Sequence, residues 1–373
     1  MLRHSGLSGA TRRSIRFLLG GLLAVLSDTA YGADTPALDG ALANRGAGER
    51  AEQHQLPAQA IDTHSLPATR LTAQDSDSAT LPLYRLAPDT YFLYGNIATL
   101  DADNRGFTGN AGFVVTGAGV VVIDALGTPK LGKRLIATIR SVTEQPIKYL
   151  ILTHNHPDHA YGASAFRAIA GISIVGHRGL LEYRGSETMQ RSVDYRRELL
   201  PQDMADFRFV EPDIYAPEQP FRALRLELGG QRFDVYNAGQ HHSHGDLVVH
   251  QLDAGILWIS DLAFNQRVTF MGDGHSTQAI DGQDWLLEQF GDARLMVPGH
   301  GSAQRPPFPM VGATRAYIQQ LRDRMKQKVI AGVPLLDALE DAAMPAWRDL
   351  PLYDENQRAN ASFVYREMEL EFF

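Results

Sequence analysis

Residues 153–159 read Thr153-His154-Asn155-His156-Pro157-Asp158-His159. They follow the apolar run 149–152, which has the character of a buried strand, so they fall on the loop at a strand's carboxyl end. Three imidazoles and a carboxylate within six residues are the nitrogen and oxygen donors that a borderline divalent cation takes. A polar surface loop is the plainer reading. Core packing fits poorly, because every buried polar group needs a partner of its own.

Outward from this loop, the pattern is one of strands interrupted by helices. On the N-terminal side, Tyr91-Phe92-Leu93-Tyr94 reads as a short strand. Two apolar runs at 112–116 and 120–123 flank Gly117-Ala118-Gly119, a hairpin signal. Pro129 opens a helix to about residue 141, with Leu131, Leu135 and Ile139 on one face, and the strand 147–152 follows. On the C-terminal side, strands are expected at 222–227, 231–236, 247–251 and 256–259. Beyond Pro309, Tyr317, Leu321, Met325 and Val329 recur at helical spacing, a further helical set runs over 335–343, and the aromatic-rich stretch 347–373 reads as core packing. Two successive strand-rich blocks with helices are compatible with two sheets packed face to face, although periodicity alone does not single that out.

The composition, 44% hydrophobic and 21% charged, is that of a soluble globular protein. A net charge of −8 argues against a nucleic-acid binder, which needs a surplus of Lys and Arg along a phosphate track. The absence of cysteine excludes disulfides, thiol nucleophiles and iron–sulfur clusters, leaving His, Asp and Glu to hold any metal. Residues 1–33 read as a signal peptide: Arg3, Arg12, Arg13 and Arg16 precede an apolar run at 17–26, and Ala30-Tyr31-Gly32 fits a small-x-small cleavage site. Thr11-Arg12-Arg13-Ser14-Ile15 partly resembles a twin-arginine export signal. The expectation is an exported protein, periplasmic or secreted, with no stable membrane span after cleavage. Residues 34–80 are poor in large apolar side chains and read as a disordered linker, with His54 and His64 solvated within it.

The loop at 153–159 matches the His-x-His-x-Asp-His signature of the metallo-β-lactamase superfamily, and further segments follow in that family's order. His242-Ser243-His244-Gly245-Asp246 resembles its second histidine motif, Ser260-Asp261 its bridging-aspartate motif, and Val297-Pro298-Gly299-His300-Gly301 its last histidine motif. Ile123-Asp124 matches an early strand-end aspartate with a supporting role. The resemblance covers roughly 81–301 and implies an α/β (α+β) fold: an αββα sandwich of two mixed sheets flanked by helices. The hydrolase domain is placed at 81–310 and the C-terminal helices, packed on the core, at 311–373. It further implies that His154, His156 and His242 hold one metal, that Asp158, His159 and His300 hold a second, and that Asp261 bridges them. Two zinc ions are implied, with iron or manganese as other occupants, and Asp158 as the catalytic proton acceptor. Ser260 stands where the family commonly has glycine. His241 and His244 flank His242, and spacing to Gly245-Asp246 favours His242. His177, His250 and His275 read as ordinary histidines, with His275, in the loop 272–276, near enough to reach the mouth of the site.

The ligand pattern resembles the two-zinc branch that includes glyoxalase II and the lactonases. Lactamase subclasses with a cysteine ligand are excluded. Asn110-Ala111-Gly112-Phe113, the stretch 242–249, Leu352-Tyr353-Asp354 and the stretch 365–369 resemble exported zinc hydrolases encoded with periplasmic quinoprotein dehydrogenases and sulfur-oxidation systems. What this implies is hydrolysis of a small acyl substrate (ester, thioester or lactone) and association with a periplasmic quinoprotein or redox system. Two other classes stand beside it: a non-catalytic partner that handles a quinone cofactor, and an iron-dependent oxidoreductase of the same fold acting on sulfur compounds.

Overall fold

The computed structural model describes residues 66–373, together with the backbone of a two-residue strand at His54–Gln55. The expected signal peptide, the linker before residue 66 and the side chains of His54 and His64 lie outside the described residues. The first sheet takes β1 (His54–Gln55), β2 (Tyr84–Ala87), β3 (Thr90–Leu93), β4 (Ala111–Thr116), β5 (Gly119–Ile123), β6 (Ile147–Ile151), β7 (Ser173–Gly176) and β8 (Ile214–Tyr215) in that spatial order. Strands β2 to β5 run antiparallel and β5 to β8 parallel. The parallel pairs need crossovers, supplied by α1 (Pro129–Val142), by α2 (Pro157–Ala160) with α3 (Ala163–Phe166), and by α4 (Gly179–Tyr183) with α5 (Glu187–Leu199).

The second sheet has the order β13-β12-β11-β10-β9, formed by β9 (Ala223–Leu228), β10 (Gln231–Gly239), β11 (Asp246–Gln251), β12 (Ile256–Ser260) and β13 (Leu295–Pro298). Helix α6 (Ser276–Phe290) links its last two strands, which are parallel. The period-two alternation of β5 shows how the layers form. Val120 and Val122 pack outward with Leu131, Leu135 and Ile139 of α1, while Val121 and Ile123 face Phe233, Val235, Leu247 and Val249 of the second sheet. The outer face of the second sheet, at Val248, Leu257 and Ile259, is covered by Leu286 and Phe290 of α6. This is the αββα sandwich of two mixed sheets.

Beyond it lie α7 (Pro309–Ile330), α8 (Leu335–Glu340) and α9 (Tyr353–Phe372). They share an apolar cluster of their own, in which Tyr317, Leu321 and Met325 meet Val364, Tyr365 and Met368. That cluster reaches the sandwich through Val268, Met271 and Ala279. Among the described residues no helix is long and apolar enough to cross a membrane.

Residues 66–80 depart from the linker expected there. Leu71 is buried, Thr69 exchanges hydrogen bonds with the Asn96 carboxamide, and α1 holds the segment by its basic face. Lys130 donates to Ala73 O, and Arg134 donates to Ala79 O and Thr80 O and pairs with Asp75 at 3.0 Å. The segment lacks an apolar pattern because its backbone carbonyls, rather than its side chains, carry most of the attachment.

Candidate metal centre

The seven residues expected to bind metal meet at one edge of the sandwich. The structure gathers them into two groups, His154, His156, His242 and Asp261 in one and Asp158, His159 and His300 in the other, with the candidate ligand atoms of each group within 4.8 Å of one another. His154 and His156 follow β6, and Pro157 then starts the single turn α2, which carries Asp158 and His159. A proline fits there because the first helical N–H has no partner within the helix. His242 lies in the turn between β10 and β11, Asp261 follows β12, and His300 follows β13.

Asp261 stands at the centre. Its Oδ2 is 3.2 Å from His242 Nε2, 3.2 Å from His300 Nε2 and 3.8 Å from His154 Nε2, while its Oδ1 is 3.4 Å from His159 Nε2. It therefore touches both groups. Close approach is built into the facing strand end: a Cβ on Gly299 would collide with Asp261 Oδ1. Ser260 adopts φ +45°, the left-handed region that favours glycine. The serine is held there because its Oγ lies 2.7 Å from Thr153 Oγ1 and 3.2 Å from His154 Nδ1.

The rings of His154, His156, His159 and His300 are each engaged on the side away from the cluster, which fixes where the near side points. Asp124 accepts from Thr153 N at 2.9 Å and lies 2.9 Å from His159 Nδ1, so it ties the motif to β5 and orients His159. His300 Nδ1 donates to Thr108 O at 2.9 Å, and the Thr108 hydroxyl donates to Asp158 Oδ2 at 3.1 Å. Asp273 lies 3.0 Å from His156 Nε2, which leaves Nδ1 of that ring for the cluster. Asp246 accepts the backbone N–H groups of His241, His242 and Ser243 at 2.9, 2.9 and 3.1 Å and so shapes the turn that aims His242. His241 points the other way and is buried against Gly282, and His244 faces Glu182 at 4.0 Å. His275 occupies the position before α6 without a side-chain capping bond, and neither it, His177 nor His250 joins the two groups.

The electrostatics are those of a cation cradle. Burial, together with the neighbouring His159, holds His154 well below the usual imidazole range, leaving it neutral as a ligand must be. Burial raises the Asp261 pKa, but the surrounding imidazoles of His300, His159 and His242 outweigh it and hold the carboxylate well below its usual range. Burial lowers His159, yet Asp261, Asp158 and Asp124 together push it up to about 10. Asp158 is lowered despite its burial, chiefly by His159 and His300.

The donor set fits a metal on a direct observation: His154 Nε2 and Asp261 Oδ1 are buried and have no hydrogen-bond partner. Unmet polar atoms in a core are costly, at about 1–3 kcal/mol each, unless something binds them. Sequence reasoning missed Asp273 and Thr108, which orient His156 and His300. Asp273 lies in the same Gly- and Ser-containing loop as His275, and nothing local distinguishes it.

A family model described as the metallo-beta-lactamase superfamily matches residues 104–300. The metallo-beta-lactamase type 2 of Bacillus cereus is 22% identical over 190 residues, covering 50% of this chain and 64% of its own length. Metallo-beta-lactamase IND-1 of Chryseobacterium indologenes is 24% identical over 199 residues, covering 52% of this chain and 72% of its own. The chain thus spans less than two thirds of the Bacillus cereus relative. Among solved structures, the inverting sec-alkylsulfatase Pisa1 from Pseudomonas sp. aligns with a TM-score of 0.60 at 17% identity, covering 79% of this chain and 51% of that one. A metallo-beta-lactamase from Pontibacter korlensis aligns at 0.50 and 19% identity, covering 64% of this chain and 99% of that one. At these identities the structural matches show the fold.

Proposed function

This chain belongs to the metallo-beta-lactamase superfamily, and from that premise we propose that it is an exported hydrolase that holds two zinc ions and cleaves a small acyl substrate: an ester, thioester or lactone. The observation that carries the reading is the convergence of six donors around Asp261, with a buried imidazole nitrogen and a buried carboxylate oxygen left unmet. His154, His156 and His242 would hold one cation, Asp158, His159 and His300 the other, and Asp261 both. Two divalent cations, when bound, lower the pKa of a water toward neutrality and polarise the scissile bond.

The chain's own residues supply the rest. Asp158 has the most exposed side chain of the seven, at 20% against 0–11% for the others, and so faces an incoming substrate. Its carboxylate, steadied by Thr108, takes the proton released as water attacks the acyl carbon. Asp124, Asp273 and the Thr108 carbonyl keep His159, His156 and His300 in the orientation the cations require. The reading extends to a periplasmic setting beside a quinoprotein or sulfur-oxidation system, supported by the sequence marks of that group.

Metal analysis and an acyl-substrate screen, with sulfate esters as a further arm, test it on protein beginning near residue 33. The expected result is two zinc ions per chain and turnover of a thioester, lactone or ester. Fully metal-loaded protein with no turnover would favour a binding role, and one iron with no zinc a redox role; either overturns the proposal.

A further inference from the structure

Between the metal centre and α6 the packing leaves room for one small molecule. His242 and Asp261 line a cavity that is closed on its other sides by Phe264, Met271, residues of α6 and Ile318 of α7. Its walls are buried except at Phe270 and His275, which are partly exposed. The centre of a water-sized body can move there over about 10 Å³. That is room for one water and for nothing larger. Among the described residues, three polar atoms on these walls make no hydrogen bond although they are buried: His241 Nδ1, His275 Nδ1 and Gln283 Oε1. They come from three elements: the turn that leads into His242, the loop of Asp273, and α6.

The other polar groups of the wall are already bonded. Thr269 Oγ1 donates to Phe270 O at 3.0 Å, Thr314 Oγ1 to Met310 O at 2.8 Å, and Ser276 Oγ to the Glu367 carboxylate. His242 and Asp261 belong to the candidate cation group. The Gln283 carboxamide is fixed in orientation, because its Nε2 donates to Leu262 O at 2.9 Å. A third zinc ion fits this set poorly. Zinc takes four ligands drawn from His, Cys, Asp and Glu, and the uncommitted groups here are two imidazoles and a neutral carboxamide. A buried water needs two to four polar neighbours, which is what the wall offers. The hydrogen count is definite. Gln283 Oε1 can only accept, so it takes one hydrogen of the water. One hydrogen and the lone pairs remain for two rings, so His241 or His275 must carry a hydrogen on Nδ1.

We infer that this cavity binds a single internal water, shared by His241, His275 and Gln283, and that the water ties the turn of His242 to the loop of Asp273. The two segments already meet through the backbone, where His275 N donates to Gln240 O at 3.0 Å. His241 directly precedes His242, and Asp273, two residues before His275, lies against His156. The water therefore steadies two donors of the His154 group from behind, and His275 and Gln283 are positioning residues. A high-resolution crystal structure of the zinc-loaded protein tests the site directly. One peak is expected within hydrogen-bond distance of Gln283 Oε1 and of both Nδ1 atoms. The link to the metal is read by zinc affinity in two variants. His275→Asn puts a carboxamide where Nδ1 stands and should keep the water, with zinc affinity changed by no more than about two-fold. His275→Phe fills the space without a nitrogen. It should lose the water and weaken zinc binding about ten-fold, the lower end for groups that support a metal-bound histidine.

No peak at this position would overturn the inference, and so would a peak with the anomalous signal of a metal. Equal zinc affinity in His275→Asn and His275→Phe, with the water gone from the second, would break the link to the metal ligands. Should His275→Phe fail to fold, Gln283→Met repeats the comparison, since it keeps the length of the side chain and removes the acceptor. The hydrolase reading fails separately. Metal-loaded protein that turns over no ester leaves both the peak and the affinity difference standing, whereas full hydrolysis without the peak does the reverse.

Discussion

The strand-end loops and the C-terminal helices divide the work of the centre unequally. All seven candidate ligands come from strand-end loops and the single turn α2, between residues 154 and 300, and none from α7, α8 or α9. Yet α9 grips the loop that carries Asp273. Asn360 accepts from Met271 N at 3.0 Å and donates to Thr269 O at 2.6 Å, Asn356 donates to Val268 O at 3.1 Å, and the Phe363 ring lies 5.9 Å from Phe270. Glu367 accepts from Ser276 N at 3.1 Å, at the positive end of α6 where a carboxylate is favoured, and Arg322 of α7 joins both. The loop so held sets Asp273 against His156 and Phe270 at 6.0 Å from the same ring. One region supplies the donors, and the other fixes how one of them points.

The contrast predicts graded losses. The largest belong to the donors: Asp158→Asn and His156→Ala should each abolish hydrolysis while circular dichroism still reports a folded chain, because the sandwich core does not depend on them. Treatment with a chelator should do the same, with activity returning on zinc addition. Full activity in either mutant would refute the ligand assignment. Asp273→Ala comes next. Losing the group that orients a metal-bound histidine typically costs about 10–100-fold in metal affinity, to be read by competition with a chromophoric chelator, and an unchanged affinity would separate α9 from the centre.

Asn360→Ala should act more weakly on the metal and more strongly on the fold. Its carboxamide is fully buried and serves Met271 N, Thr269 O and the Tyr317 hydroxyl, which lies 2.9 Å away. Leaving such groups unmet costs about 1–3 kcal/mol, visible as a lowered midpoint of thermal unfolding. A zinc affinity reduced by less than in Asp273→Ala would place the helix one step behind the carboxylate. An affinity reduced by more would mean that α9 holds the centre by another route.

The same division governs what the sequence reveals. The motif at 153–159 is legible because its donors are closely spaced, and β4 and β5 because unbroken apolar runs flank the turn residues Gly117-Ala118-Gly119. Helix α5 is not, since Val193 is its one buried residue and a helix that buries so little writes no apolar stripe. Helix α6 hides for another reason: Gly282 and the buried Gln283 break its pattern, because the His241 ring takes the space a side chain at 282 would fill. Asp273 and Arg267 are ordinary charged loop residues until the fold sets them beside His156 and His300. Ser260 was readable as a departure from glycine, but only the backbone shows that the left-handed turn is kept and that the hydroxyl bonds to Thr153 and His154.

The smallest effect is expected at the histidine that sequence spacing could confuse with a ligand. His244 lies two residues from His242, in the same turn, yet its ring is partly exposed and its nearest acid is Glu182 at 4.0 Å. The Asp246 carboxylate determines this, because by binding three successive N–H groups it allows one ring of the turn to face Asp261. His244→Gln should therefore keep the full metal content and change kcat/KM by no more than about two-fold, in line with surface substitutions that shift stability within about 0.5 kcal/mol. His242→Gln in the same assay should lose metal from the first group. If His244→Gln lost metal and His242→Gln did not, the turn would be wound differently around Asp246, and the first group would have to be redrawn with His244 in it.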